Sequence, residues 1–160
     1  MMSGFSDNLQ PCINEAVSRF LKYIYALLIS AILFSTCSDP VSGDGIPIVL
    51  VDETINLNNY QYQALNVVGG YVYLNAGVRG IIIYRSSASE YLAIERNCTF
   101  QPMDPCADVK VDESTLFLVD TCCNSTFDFN GFPTGGPATL PLRQYKTSLN
   151  QNYLTITNGY

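Results

Sequence analysis

Apolar and polar positions divide this chain into two unlike parts. Near the N-terminus, Arg19 and Lys22 lead into an apolar run of 12 residues, Tyr23 to Phe34. As a helix such a run reaches about 18 Å, well short of the ~30 Å hydrocarbon core of a bilayer. A basic lead before an apolar stretch of this length fits the h-region of a secretory signal. Beyond residue 45 the pattern changes to short apolar or β-branched runs separated by turn residues. The runs are Ile46–Val51, Gly70–Leu74, Gly80–Tyr84, Tyr91–Glu95, Val109–Val111, Leu116–Val119, Leu142–Thr147 and Tyr153–Ile156. Between them lie Gly69-Gly70, Asn75-Ala76-Gly77, Asn130-Gly131, Gly135-Gly136-Pro137 and Asn150-Gln151-Asn152. Short strands at this spacing predict an all-β sandwich or barrel. No segment of the body keeps a helical period over three turns.

The residues after the apolar run set the expected compartment. Phe34-Ser35-Thr36-Cys37 resembles a bacterial lipobox, in which small residues precede a cysteine that is lipidated and becomes the new N-terminus. Leu33 lies four residues before Cys37 rather than three, and Thr36 is bulkier than the usual Gly or Ala. Ser38-Asp39-Pro40-Val41-Ser42-Gly43-Asp44-Gly45 then reads as a polar tether. The expected division is a signal peptide over 1–36, a lipidated Cys37 with its tether over 37–45, and a β domain over 46–160. Residues 1–18 are long for a signal n-region and carry Asp7 and Glu15, which points to a start assigned too far upstream. Cys12 receives no role. The expected location is the cell envelope, as an outer-membrane lipoprotein facing periplasm or surface, with the lipid anchor as its membrane partner.

Composition narrows the chemistry. Of 160 residues, 8 are basic and 14 acidic, for a net charge of -6, and histidine and tryptophan are absent. The acidic balance argues against a nucleic-acid partner. Without histidine there is no Ser-His-Asp or Cys-His machinery and no His-ligated metal. Four of the six cysteines, Cys98, Cys106, Cys122 and Cys123, fall in the body. In an exported chain an even number of them predicts two disulfides.

Two loops between strands carry these cysteines. The first reads Arg96-Asn97-Cys98-Thr99-Phe100-Gln101-Pro102-Met103-Asp104-Pro105-Cys106. The second reads Asp120-Thr121-Cys122-Cys123-Asn124-Ser125-Thr126-Phe127-Asp128. Gly135-Gly136-Pro137-Ala138 and Leu142-Arg143-Gln144-Tyr145 follow. The ordered set resembles the Rieske iron–sulfur domain. That family has C-x-H in one loop, C-x-x-H in a second, then Gly-Ser-x-Phe-Asp, a Gly-Pro-Ala loop and a Leu-x-x-Tyr strand. The resemblance runs from about Ile46 to Thr157. It implies an antiparallel β-sandwich of Rieske type with both cysteine loops at one end. Cys98 falls on the first family cysteine and Phe100 on the first histidine. Cys122 is read as the second cysteine and Cys123 as the second histidine.

The resemblance also implies what the family's chemistry needs. A Rieske [2Fe–2S] cluster takes two thiolates on one iron and two imidazoles on the other. With Phe100 and Cys123 at the histidine positions, the expectation is a degenerate site with no cofactor and no metal. In the family the two cysteines converge on one iron, so a Cys98–Cys122 disulfide with Cys106–Cys123 is the first pairing to expect. The swapped pairing, Cys98–Cys123 with Cys106–Cys122, is the second. Each bridge would stabilise by roughly 2–4 kcal/mol.

The function expected is therefore a non-enzymatic envelope module that binds or scaffolds an unidentified envelope protein. The alternative is a redox protein, by a [2Fe–2S] cluster on Cys98, Cys106, Cys122 and Cys123 or by a reversible disulfide. A thiol–disulfide enzyme is disfavoured, because there is no C-x-x-C and no basic group beside the vicinal pair. Asp52-Glu53 and Asp112-Glu113 read as solvated charge. Tyr71, Tyr73 and Tyr84 read as sheet packing, and Gly135-Gly136-Pro137 as a turn. No catalytic residue is assigned.

Overall fold

Ile81-Ile82-Ile83 marks the centre of the fold, because a strand buried on both faces needs an apolar residue at every position. All three side chains are fully buried. In the computed structural model, which describes residues 45–159 and Arg19, they lie in β3 (Ile81–Arg85). The chain divides into two units, residues 1–38 and 39–160. The expected signal, lipidation site and tether lie outside the described residues, apart from Arg19 and Gly45.

The remaining strands are β1 (Asp52–Asn56), β2 (Tyr71–Leu74), β4 (Tyr91–Glu95), β5 (Val109–Val111), β6 (Leu118–Asp120), β7 (Ser125–Phe127), β8 (Pro133–Gly135), β9 (Gln144–Asn150) and β10 (Tyr153–Thr157). A short 3₁₀ helix (Tyr60–Asn66) joins β1 to β2 and buries Leu65. Among the described residues the strands form a six-stranded sheet, β1-β10-β9-β4-β3-β2, and a four-stranded sheet, β5-β6-β7-β8. Every named pairing is antiparallel. The all-β expectation is borne out.

The period of two along β3 and β4 sorts side chains to two cores. Ile81, Ile83 and Ala93 join Ile55, Tyr145, Leu154 and Ile156 on one face. Ile82 and Ile94 face the other way and meet Val109, Leu118 and Phe127 of the smaller sheet. One sheet thus curls around its own core and packs its outer face on the second sheet.

The run Ile46–Val51 is not a strand, contrary to expectation. Ile46 and Val51 are buried, but Ile48, Val49 and Leu50 are exposed. The Arg143 guanidinium donates to the carbonyls of Ile46 and Pro47 at 2.8 and 2.7 Å, and Pro47 sits in a single bridge rather than a continuous ladder. Pairing begins one residue later, at Asp52 opposite Thr157.

Antiparallel register fixes where the cysteine loops meet. Val109 lies opposite Asp120, and Asp120 opposite Ser125. The start of β5, the end of β6 and the start of β7 therefore share one end of the small sheet. The loop entering β5 carries Cys98 and Cys106, and the loop between β6 and β7 carries Cys122 and Cys123. Two antiparallel sheets with both cysteine loops at one end are the arrangement expected of a Rieske-like fold.

Candidate functional site

The first cysteine loop is clasped at its base and held along its length. Asn97 bridges Asp108, and the Cys98 N–H donates to the Ala107 carbonyl at 3.1 Å. Arg96 donates to the Val109 carbonyl at 2.9 Å and to Asp108 at 2.7 Å, with its guanidinium 4.6 Å from the Tyr73 ring centre. Arg79 reaches in from the β2–β3 turn. It bonds the Asn97 side chain and the carbonyls of Pro102, Asp104 and Pro105. A guanidinium has five N–H donors in a rigid fork, which suits it to gathering the carbonyls of a loop without regular structure.

Asp120 organises the second loop. Its Oδ1 accepts the Cys122 N–H at 2.7 Å, which turns the chain at the end of β6. Asn124 follows with φ 59°, in the left-handed region that Asn tolerates better than most residues. It stands where the resembled family has glycine. The buried Ser125 then accepts the Ala138 N–H at 3.0 Å and ties in the Gly135–Ala138 loop. Gly136 makes this approach possible: a Cβ there would lie 2.5 Å from the Ser125 Cα and 2.6 Å from the Asn124 carbonyl oxygen.

The sulfurs fall into two pairs. Cys106 and Cys122 form a disulfide, with Cα atoms 5.7 Å apart. Cys98 and Cys123 are free thiols with sulfurs 3.9 Å apart. The Cys123 sulfur lies within hydrogen-bond reach of Asp120 Oδ2 at 3.3 Å and of Ser125 Oγ at 3.0 Å. Burial is the main reason the Cys98 thiol sits far above its ordinary range. Its hydrogen bond with Asp120 adds to the rise, and the Phe100 N–H opposes it. Cys98 is thus a buried thiol that holds its proton, whereas Cys123 is partly accessible.

This arrangement corrects two expectations. The first pairing, Cys98–Cys122 with Cys106–Cys123, does not occur; the sulfurs are apposed in the swapped order, and one of the two pairs is bonded. Adjacent residues point to different sides of the turn, so Cys122 faces Cys106 while Cys123 faces Cys98. The second correction concerns register. With Cys123 at the second histidine position, C-x-x-H spacing places the partner ligand three residues earlier, at Asp120. The structure gathers Cys98, Asp120 and Cys123, their ligand atoms all within 4.8 Å of one another. Cys122 is engaged with Cys106 instead. The C-x-x-H spacing was the signal that could have found Asp120. Arg79 carried no signal in sequence, because its role depends on contacts across the fold; Ser125 stood in the match to Gly-Ser-x-Phe-Asp, which did not reveal its bonds to Ala138 and Cys123.

A [2Fe–2S] centre requires two protein ligands on each iron. The side chains gathered here supply two thiols and one carboxylate. Phe100 lines the same cleft with a donorless ring. Cys106 and Cys122 spend their sulfurs on each other. Among the described residues neither the Rieske donor set nor a four-cysteine set is gathered at this end, and the side chains present there do not fit the cluster.

No protein-family model matches the sequence, and no curated protein matches it. Among solved structures, the chain is similar to the ferredoxin of carbazole 1,9a-dioxygenase from Nocardioides aromaticivorans IC177. The TM-score is 0.46 at 17% identity, covering 69% of this chain and 99% of that one. A structure of the complex of reduced oxygenase and oxidised ferredoxin in carbazole 1,9a-dioxygenase gives a TM-score of 0.42 at 18% identity, covering 56% and 81%.

Proposed function

We propose that this chain is an exported, lipid-anchored envelope protein whose Rieske-like domain works without an iron–sulfur cluster, as a non-enzymatic binding or scaffold module. The observation that carries the reading is the donor set: three donors converge where a two-iron centre needs four, and the other two cysteines of the β domain, Cys106 and Cys122, are bonded to each other. The Cys106–Cys122 bridge ties the loops together, as a cluster shared between them would. Phe100 packs against the second core at a position the resemblance gives to a ligand. The partner is an envelope protein that meets the domain at the end of its anchor.

The visible spectrum and the electron paramagnetic resonance spectrum of the anaerobically isolated protein test the loss of the cluster. The expected result is no iron–sulfur absorption and no signal on reduction; a reducible two-iron signal near one per chain overturns the reading. Replacing Cys37→Ser tests the anchor. The variant is expected in the soluble fraction, and membrane retention equal to wild type contradicts lipidation at that residue.

A second reading has one observation in its favour. Two free thiols 3.9 Å apart stand beside a disulfide, so the site holds the parts of a reversible thiol–disulfide couple. Thiol counts across a series of redox buffers decide it. A structural bridge stays oxidised well below the glutathione range, and a functional couple titrates within it.

A further inference from the structure

We infer that Cys98, Asp120 and Cys123 form a binding site for a single zinc-class divalent cation, with its fourth position open to the adjoining cleft. This goes beyond the binding-module reading and does not require it.

Geometry is the first support. With Zn–S near ~2.3 Å and Zn–O near ~2.0 Å, a tetrahedral ion holds two sulfurs about 3.8 Å apart and a sulfur and an oxygen about 3.5 Å apart. The Cys98 and Cys123 sulfurs are 3.9 Å apart, and Cys123 Sγ lies 3.3 Å from Asp120 Oδ2. The thiols are too far apart for a covalent bond, yet lie at the spacing of two ligands sharing one ion.

Charge is the second support. Asp120 is fully buried, and among the described residues its partners are a backbone N–H and thiols. No basic side chain pairs with it there. The nearby guanidinia are committed elsewhere, Arg96 to Asp108 and Arg79 to the first loop. A buried carboxylate is costly unless it is paired with a cation or coordinates a metal.

The third support is the frame around the ligands. Asp120 is held by the Cys122 N–H, and Cys123 by Ser125, which is itself fixed by Ala138. Outer contacts of this kind orient metal ligands. A cleft of about 160 Å³ adjoins them, lined by Phe100, Gln101, Asp104 and Pro137 as well as Asp120 and Cys123. It leaves room for a small fourth ligand or solvent. Two sulfurs and one oxygen select a borderline-soft ion over calcium or magnesium. Binding releases the two thiol protons to solvent and involves no change of oxidation state.

The test is a cobalt(II) titration of the full-length chain, purified without oxygen or added reductant so that Cys106–Cys122 stays closed. One cobalt per chain is expected, with intense tetrahedral bands and thiolate-to-cobalt charge transfer, displaced stoichiometrically by zinc. Asp120→Asn and Cys123→Ser should each weaken binding by at least ~10-fold, and Ser125→Ala by roughly 10-fold. Circular dichroism establishes that each variant is folded. Opening the other bridge, with Cys106→Ser and Cys122→Ser together, should leave the charge-transfer band in place. A weak octahedral spectrum overturns the proposal. So does unchanged cobalt affinity in folded Asp120→Asn and Cys123→Ser, or loss of the band in the folded double variant.

Discussion

At the scale of single residues, neighbours in sequence have opposite fates. Cys122 is bonded to Cys106, while Cys123 is free and faces the buried Cys98. Burial and the Asp120 contact keep Cys98 protonated well above neutral pH, and a protonated thiol is a poor nucleophile. Iodoacetamide added to the native protein should therefore label Cys123 first. Cys98 should react only on unfolding, and mass spectrometry of the digested protein reads the order. Equal labelling at both would contradict the burial argument. Register makes a second prediction at this scale. If Phe100, Asp120 and Cys123 occupy the lost ligand positions, then Phe100→His, Asp120→Cys and Cys123→His together should restore a site able to take up iron and sulfide. The same design with Cys122 left as the intended ligand and Asp120 unchanged should not. The cysteines themselves were legible in sequence, as was the missing histidine. The role of Asp120 was not, because an aspartate at the end of a strand reads first as solvated charge.

At the scale of elements, the sequence pattern was a good guide wherever a strand has a buried face. β2 to β6, β9 and β10 lie close to the runs of alternating or continuous apolar residues. The strands that escaped notice are those with little apolar content. β1 buries only Ile55 of its five residues. β7 is Ser-Thr-Phe inside what reads as a cysteine loop, and β8 is Pro-Thr-Gly. Their pairing comes from neighbours, not from their own propensity. The loop elements depend on two ties. The Cys106–Cys122 bridge spans 16 residues, and in the chain-entropy model a loop of about that length contributes roughly 3 kcal/mol. Cys106→Ser with Cys122→Ser should lower stability by about that amount in urea titration. Gly136 is the second tie, where a side chain meets the Ser125 and Asn124 backbone. Gly136→Ala combines this clash with a positive φ, and should cost on the order of 1–3 kcal/mol. It should also speed alkylation of Cys123 by letting the Gly135–Ala138 loop move away.

At the scale of the whole molecule, the two cores are joined through a buried polar centre beside the site. Glu95 is fully buried and accepts the N–H groups of Val78, Arg79 and Asn97, and the Tyr145 hydroxyl at 2.6 Å. These contacts link the β2–β3 turn, β4, the first cysteine loop and β9. Burial first, and the Glu95 contact second, raise the Tyr145 phenol above its ordinary range. The folded state therefore holds this proton more tightly than the unfolded chain, whose tyrosines titrate near ~10. The stabilisation is complete below that pH and is lost as pH climbs through the raised value. The urea midpoint should fall above about pH 10 in wild type, and Tyr145→Phe should remove that part of the decline. The same variant should cost about 1–3 kcal/mol at neutral pH, by leaving a buried acceptor short of one donor. Such a centre could not be read from the sequence, since Glu95 ends an apolar run and looks like the edge of a strand.

If this domain works without a two-iron cluster, as proposed, the chain cannot hold one when it is offered, and iron and acid-labile sulfide analysis of the full-length chain after anaerobic reconstitution with ferrous iron and sulfide reads this out. Neither element is expected to remain in stoichiometric amount after desalting. Two irons and two sulfides retained per chain would contradict the claim.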